Sequence, residues 1–202
     1  MYFRVCKRLN GNKNRKEKKI MLTFQEDLKK AIDYHGHLCS GQVLGVRMAR
    51  MALAYFKIED PMKYKDLIVY VECDRCLADA IGIVTGCNLG RRRLKWMDYG
   101  KVACSFLDLQ TKKAIRIVRV SHQYPKEGED LVEFFKSFTD EELFRLEEIE
   151  IPIEPWDLPG RPTSVTVCEI CNEEILDHRE VIVNGRIFCK GCHQGSYYRK
   201  RE

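Results

Sequence analysis

Two Cys-x-x-Cys pairs near the C-terminus constrain the fold of this 202-residue chain more than any other feature. The first pair is Cys168 and Cys171, the second is Cys189 and Cys192, and the 17 residues 172–188 lie between them. Each pair can aim two thiolates at one point, and four thiolates complete the tetrahedral shell of a structural zinc ion. The spacing therefore predicts a closed structural zinc site with these four cysteines as ligands.

The segment between the cysteine pairs has the pattern of a β-hairpin. Apolar residues at 181–183 and 186–188 flank Asn184-Gly185, a pair typical of a two-residue hairpin turn. So small a segment has little core of its own, and metal binding would supply much of its folding free energy. His178 and His193 are nearby alternative ligands, but four thiolates need neither. Zinc modules of this kind bind proteins, nucleic acids or a partner domain, and the sequence does not choose among them.

A proline-rich segment precedes the zinc module. Residues 151–164 contain four prolines and Gly160, a composition incompatible with a helix or a central strand. We therefore predict a stiff linker at 151–164, a zinc-finger domain at 165–202 and one larger core domain at 21–150. Trp156, inside the linker, is expected to pack against one of the two domains.

The positive net charge comes from the N-terminus. The net charge is +5 overall, and residues 1–20 hold eight Lys or Arg and one Glu, which leaves −2 for residues 21–202. We expect residues 1–20 to be a flexible basic extension, or Met21 to be the true start. A near-neutral body makes nucleic acid an unexpected partner.

The ten cysteines bear on the cellular compartment. No run is apolar enough for a transmembrane helix and no signal-peptide pattern is present, so we expect a soluble, cytoplasmic protein. Cytoplasmic thiols stay reduced, which favours metal ligation or redox catalysis over disulfides. Cys6 and Cys104 stand apart from the other cysteines, and Cys104 suits a small buried core position.

Apolar periodicity and turn residues predict a core that mixes helices and strands. The expected elements are a helix with a capping box at Thr23 and Glu26, a helix over 43–56, a strand over 67–71, a helix beginning near Cys76, a loop over 85–99, a hairpin over 101–109 and 113–120, and two acidic helices over 129–138 and 139–148, the second with a capping box at Thr139 and Glu142.

The densest group of chemically active side chains lies in the bend between the first two helices. His35, His37 and Cys39 fall within the stretch His-Gly-His-Leu-Cys-Ser-Gly, whose glycines permit a sharp turn. Cys39 would lie at the positive end of the second helix, which favours the thiolate that binds metal or attacks. We predict the chemical centre here; the alternative is a turn whose side chains are simply satisfied.

A second thiol pair, Cys73-x-x-Cys76, follows a predicted strand and begins a predicted helix. Thioredoxin-like oxidoreductases use this layout. A dithiol reaction of Cys73 and Cys76 is therefore an alternative function. The nearby basic cluster of Arg91 to Arg93 with Lys95 could hold an anion or form a solvated turn.

Three blocks in the first half resemble the E-subunit family of formylmethanofuran dehydrogenase. They are the His35–Gly41 stretch with Gly45 and Arg47, Cys-Leu-Ala-Asp-Ala-Ile from Cys76, and Thr-Gly-Cys-Asn-Leu-Gly from Thr85, which leads to Asp-Tyr-Gly-Lys from Asp98. The resemblance covers roughly residues 22–150. Ser40 replaces the usual proline, and Arg91–Arg93 replace a glycine-rich run. Some family members also carry a C-terminal treble-clef zinc finger, which the end of this chain resembles.

The resemblance implies an α+β fold with a thioredoxin-like core, in which helices flank a mixed sheet, and a metal-binding active site. The implied ligands of zinc or a similar divalent transition metal are His37, Cys39 and Cys76, with Cys87 close by as a further candidate. The implied catalytic set is His35, His37, Cys39 and Cys76, and a histidine left unligated would act as general base. Asp79 would either orient a ligand or serve only as a carboxylate in the first turn of a helix.

The family also implies partners. These are the subunits of the molybdenum or tungsten formylmethanofuran dehydrogenase, in the C1 and methanogenic metabolism of anaerobes. A homodimer is expected from the small residues Gly41, Gly45, Ala49 and Ala52, although such a stripe more often packs inside a core. A third alternative function is a zinc-finger interaction or regulatory module.

Overall fold

The computed structural model describes residues 22–201. Cys6, the basic extension and the question of Met21 as the start lie outside these residues. The helices are α1 Phe24–His35, α2 Ser40–Tyr55, α3 Cys76–Thr85, α4 Leu131–Lys136, α5 Asp140–Leu143 and α6 Lys190–Gln194, with 3₁₀ turns at Leu89–Arg91 and Pro155–Asp157. The strands are β1 Leu67–Val71, β2 Leu94–Trp96, β3 Ala103–Asp108, β4 Ala114–Arg119, β5 Phe144–Ile149, β6 Val165–Val167, β7 Glu174–Leu176, β8 Val181–Val183 and β9 Arg186–Phe188.

Five strands form a mixed sheet in the order β2-β1-β3-β4-β5. Strands β1 and β2 are parallel, and the other three pairs are antiparallel. The connection between the parallel strands contains α3, as a parallel pair requires. The predicted α+β architecture with a mixed sheet is confirmed.

The front face of the sheet carries the main core. Val69, Phe106 and Ile117 are each 0% exposed and belong to one apolar cluster with residues of α1, α2 and α3. Cys104 lies in β3 at 0% exposure, so its expected place as a small buried thiol is confirmed. Alternation along each strand leaves the intervening residues for the opposite face.

That opposite, back face is more polar. The pairing register places Lys95, Tyr70, Ser105, Arg116 and Glu147 in one row across all five strands. Beside this row, a small apolar cluster of Ile68, Leu107 and Ala114 is covered by the chain that follows β5, including Ile151 and Ile153. The start of the proline-rich segment therefore packs on the back face.

Local sequence signals set the helix ends. Thr23 caps α1 through the predicted capping box with Glu26, and Gly36 ends α1 in the left-handed conformation (φ 95°). Cys39 is the N-cap residue of α2 in extended conformation. Only residues 36–39 separate the two helices, so the bend that holds the histidines is short and tightly fixed.

Two glycines of α2 allow close packing against α3. A Cβ built on Gly41 would lie 2.8 Å from Cys76 Cβ, and one built on Gly45 would lie 2.8 Å from both Ala80 Cβ and the Leu77 carbonyl oxygen. The small-residue stripe thus contacts α3 within the chain. This contact fixes the start of α3, and with it Cys76, against the start of α2.

Replacing Gly45 by valine is expected to lower the free energy of unfolding by about 1–3 kcal/mol, because the side chain must displace α3 backbone. This is the opposite of the usual gain when a helical glycine is replaced. Gly90→Ala is the matched control, since a Cβ there meets nothing within 4 Å. Urea unfolding of both variants measures the difference, and equal midpoints would contradict the close packing.

Two secondary-structure predictions were wrong. The expected loop over 85–99 contains strand β2, and the expected helix over 139–148 is a helix only at Asp140–Leu143 before β5 begins. The capping box at Thr139 and Glu142 is present and starts that short helix. Pairing with β4 takes residues 144–149 into the sheet, so tertiary hydrogen bonding overrides the helical pattern.

The C-terminal part consists of two short hairpins and a short helix. Strand β6 pairs with β7 and β8 pairs with β9. Asn184 (φ 51°) and Gly185 (φ 79°) both adopt positive φ, as the predicted two-residue turn requires. Within residues 22–201, no helix is both long and apolar enough to cross a membrane.

Candidate metal centres

The four C-terminal cysteines converge on one point. One ligand atom from each of Cys168, Cys171, Cys189 and Cys192 lies within 4.8 Å of the others, and the Cys171 and Cys189 sulfurs are 3.9 Å apart. The Cys189 sulfur also accepts a hydrogen bond from the backbone N–H of Cys192 at 3.3 Å. This is the arrangement predicted from the spacing.

The ionisation of these thiols fits a cation. Backbone N–H groups of Cys171 and Cys189 lower the pKa of Cys168 to about 6, whereas the neighbouring Cys189 thiol raises the pKa of Cys192 to about 12. Packed this closely, the sulfurs cannot all be thiolates at neutral pH unless positive charge lies among them. A divalent, sulfur-binding ion such as zinc meets that requirement.

Arg92 joins the zinc-binding part to the core. It takes the left-handed conformation (φ 59°) after the first 3₁₀ turn, and its guanidinium donates to the Leu158 carbonyl at 3.2 Å, the Trp156 carbonyl and the Asp177 carboxylate. The Thr163 backbone N–H and Arg92 hold the pKa of Asp177 below its usual value. Trp156 packs on His178 of the finger, with ring centroids 4.8 Å apart.

The second cluster lies in the α1–α2 bend. Ligand atoms of His35, His37 and Cys39 lie within 4.8 Å of one another, and the two imidazole centroids are 4.6 Å apart. His37 is exposed, whereas His35 and Cys39 are half-buried. The bend brings together three of the predicted site residues.

His35 is oriented by α3. Its Nδ1 lies 2.9 Å from Asp79 Oδ2, and its Nε2 is buried without a hydrogen-bond partner among the described residues. A histidine whose far nitrogen is held by a carboxylate and whose near nitrogen is free is typical of a metal ligand. The donor set of two imidazoles and a thiol also suits zinc. His35 was predicted only as a catalytic residue near the ligands; its geometry makes it a ligand candidate.

Cys76 lies beside Cys39. Burial and a hydrogen bond with the Cys39 thiol raise the pKa of Cys76. Cys76 is the first residue of α3, and the close approach at Gly41 brings it to the bend. It does not join the group whose ligand atoms all lie within 4.8 Å. Cys76 is therefore adjacent to the cluster.

Cys87 does not lie at the cluster. Its thiol is 1% exposed and donates to the Leu67 carbonyl at 3.4 Å. It follows the C-terminal end of α3, whereas Cys76 begins that helix, and a ten-residue helix is about 15 Å long. The predicted role of Cys87 as a ligand of the same ion is thus not supported by its position. Burial raises its pKa, as for an ordinary core thiol.

Cys73 shows no sign of activation. It is 4% exposed, and burial raises the pKa of its thiol. The pKa of Cys76 is raised as well, whereas reactive dithiols hold one thiol at a lowered pKa. These environments weigh against a dithiol reaction of Cys73 and Cys76.

A cleft of about 620 Å³ adjoins the His/Cys cluster through Asp79. One side of α3 and the loop that follows it form its walls, and Lys65, Arg91 and Tyr34 also line it. Asp79 thus contacts His35 on one side and the cleft on the other. The glycine-containing motif from Thr85 contributes this loop, which explains why it accompanies the histidine motif in the sequence.

Together, an α+β core with a His/Cys cluster and a four-cysteine finger define a two-part metal-binding protein. Residues 34–155 match the family described as FmdE, molybdenum formylmethanofuran dehydrogenase operon, and the chain belongs to this FmdE family. Residues 161–198 match the prokaryotic dksA/traR C4-type zinc finger. The family resemblance and the C-terminal zinc finger predicted from the sequence are confirmed.

Two individual proteins are similar to this chain. The crystal structure of an FmdE-like protein of the tungsten formylmethanofuran dehydrogenase type, from Syntrophus aciditrophicus, superposes with a TM-score of 0.56 at 20% identity, over 88% of this chain and 96% of that one. This likeness concerns the fold. A protein of Archaeoglobus fulgidus described as a probable S-adenosyl-L-methionine-binding protein is 34% identical over 93 residues. Those residues are 45% of this chain but only 25% of that relative.

Proposed function

We propose that the core binds zinc or a similar divalent transition metal through His35, His37 and Cys39, with Cys76 as a further ligand, and that this site is the active site. One observation carries the proposal: the Nε2 of His35 is buried without a partner beside His37 and Cys39, while Asp79 holds Nδ1 at 2.9 Å. An unpartnered buried nitrogen is costly unless a ligand satisfies it.

The roles of the residues follow from their exposure. Asp79 accepts the proton on Nδ1 of His35, which leaves Nε2 as the lone-pair donor. His37 is exposed, so if one imidazole stays unligated it is His37 that can exchange a proton with a substrate. The bound metal would supply Lewis-acid polarisation of a carbonyl group or of water. The cleft beside Asp79 offers room for such a substrate.

We further propose that the protein serves the molybdenum or tungsten formylmethanofuran dehydrogenase system in the C1 and methanogenic metabolism of anaerobes. The family description supports this link. The same proposal includes a cytoplasmic protein with a core domain at 21–150, a linker at 151–164 and a finger domain at 165–202. A thioredoxin-like origin of the core is supported by the order of β1, the Cys-x-x-Cys and α3.

Metal analysis of the full chain after anaerobic purification tests the core site. We expect two divalent ions per chain, and one in His35→Ala and in Cys39→Ser. Cys87→Ser is the matched control, because its thiol lies away from the cluster, and it should retain two ions. One ion in the parent protein, or loss of an ion in Cys87→Ser alone, would contradict the proposed ligand set.

The finger has a second candidate function as an interaction module. Ile170 and Ile182 are 61% and 64% exposed, and the finger exposes further apolar side chains around them. If the finger binds dehydrogenase subunits, the protein should co-elute with the purified enzyme, and Ile170→Ser with Ile182→Ser should abolish co-elution while both ions remain. Absence of co-elution for the parent protein would refute this partner.

A further inference from the structure

A second cleft lies on the back face of the sheet, away from the His/Cys cluster. Its volume is about 720 Å³, and the core, the linker and the finger each contribute side chains to it. Lys95 and Trp96 come from β2, Asp157 from the linker and Arg179 from the finger. None of the residues proposed for the metal site lines this cleft. We propose that it binds a nucleotide, with the phosphate at its cationic end and the base against its exposed aromatic side chains.

The cationic end holds more positive than negative charge. Arg92, Lys95 and Arg179 all approach Asp157, with Arg92 Nη2 at 3.9 Å and Lys95 Nζ at 3.8 Å from its Oδ1. The second carboxylate there, Asp177, pairs with Arg92. Three cations thus share two carboxylates. The remaining carboxylate of the cleft, Glu72, is taken up by its own arginine, Arg116.

Lys95 is the cation most in need of an anion. Its side chain is 17% exposed, and its hydrogen bond is to the backbone carbonyl of Asp157 at 2.8 Å. Burial lowers the pKa of Lys95, which means that its charge is incompletely compensated. A phosphate could accept charge-assisted hydrogen bonds from Nζ at a position fixed by β-sheet pairing.

The other part of the cleft is apolar and exposed. Trp96, Tyr99 and Leu89 line it and are 50%, 60% and 64% exposed. Large apolar side chains clustered at the surface of a concave site indicate a ligand with a flat apolar part. The volume falls within the usual range of small-molecule sites. An aromatic ring system that carries a phosphate matches both ends.

Isothermal titration of AMP into the zinc-loaded full chain tests the proposal, with adenosine and inorganic phosphate as partial ligands. AMP should bind at least about tenfold more tightly than either one. Lys95→Gln and Trp96→Ala should each weaken AMP binding about tenfold, and Lys95→Arg should keep most of it. Lys136→Gln, which removes an exposed cation paired with Glu133, is the matched control.

Zinc removal is a further readout, because the finger supplies Arg179. Chelation should abolish AMP binding even though Lys95 and Trp96 belong to the core. No binding at millimolar AMP, phosphate binding as tight as AMP binding, or unchanged affinity in both cleft variants would overturn the nucleotide assignment. Concentration-dependent dimerisation lost in Trp96→Ala would identify a second copy as the occupant and would also overturn it. The core metal site can fail its own test without changing any of these results.

Discussion

Cys171→Ser is expected to unfold the zinc finger while the five-stranded sheet stays folded. Within residues 165–201 only Cys168, Ile175 and Asp177 are buried, so apolar packing contributes little there. Structural zinc supplies about 10–16 kcal/mol in small domains of this kind. We expect loss of one zinc ion per chain and rapid hydrogen exchange of β6 to β9, with slow exchange retained in β1, β3 and β4.

The matched control is His193→Gln, which changes a neighbouring side chain that the four-thiolate site does not need. It should retain zinc and slow exchange. Slow exchange of β8 and β9 in Cys171→Ser would show that packing rather than metal holds the finger. Loss of zinc in His193→Gln would place an imidazole in the shell.

Arg116→Met is expected to lower the free energy of unfolding by about 3–5 kcal/mol, because it leaves a buried carboxylate unpaired. Glu72 is 5% exposed and receives two hydrogen bonds from Arg116, from Nε at 2.6 Å and from Nη2 at 2.9 Å. The comparison variant is Arg145→Met, which removes an exposed partner of Glu147 and should cost less than about 1 kcal/mol.

Urea unfolding of both variants measures the difference. Adding Glu72→Gln to Arg116→Met should recover part of the loss, since an amide is less costly to bury than an unpaired charge. Equal losses for Arg116→Met and Arg145→Met would mean that Glu72 reaches water in the folded protein.

The core strands could be predicted because they carry continuous apolar runs. Strand β1 begins and ends at Leu67 and Val71, as expected, and the hairpin of β3 and β4 falls within its predicted ranges. Strands β2 and β5 could not be predicted because both are edge strands. Leu94–Trp96 is too short for a pattern, and Phe144–Ile149 contains Glu147 and Glu148, which suit a helix until pairing with β4 is known.

The finger ligands could be predicted because they are close in sequence and four sulfurs leave one solution. The core cluster was predictable only in its local part, His35 to Cys39. Which distant residues reach the bend depends on how α3 packs on α2, and this packing brings up Cys76 and Asp79 but carries Cys87 away. No pattern in the sequence indicated Arg92 as the contact between core, linker and finger.

The contacts of Arg92 also limit how parts of such proteins can be exchanged by recombination. A finger transplanted alone would leave Asp177 without its guanidinium, and a recipient core lacking an arginine at this position would not engage the carbonyls of Trp156 and Leu158. A successful chimera therefore has to carry three separate pieces of sequence: the arginine after the 3₁₀ turn, the segment 155–158 and the finger. The crossover point in the linker is not by itself the boundary of a portable unit.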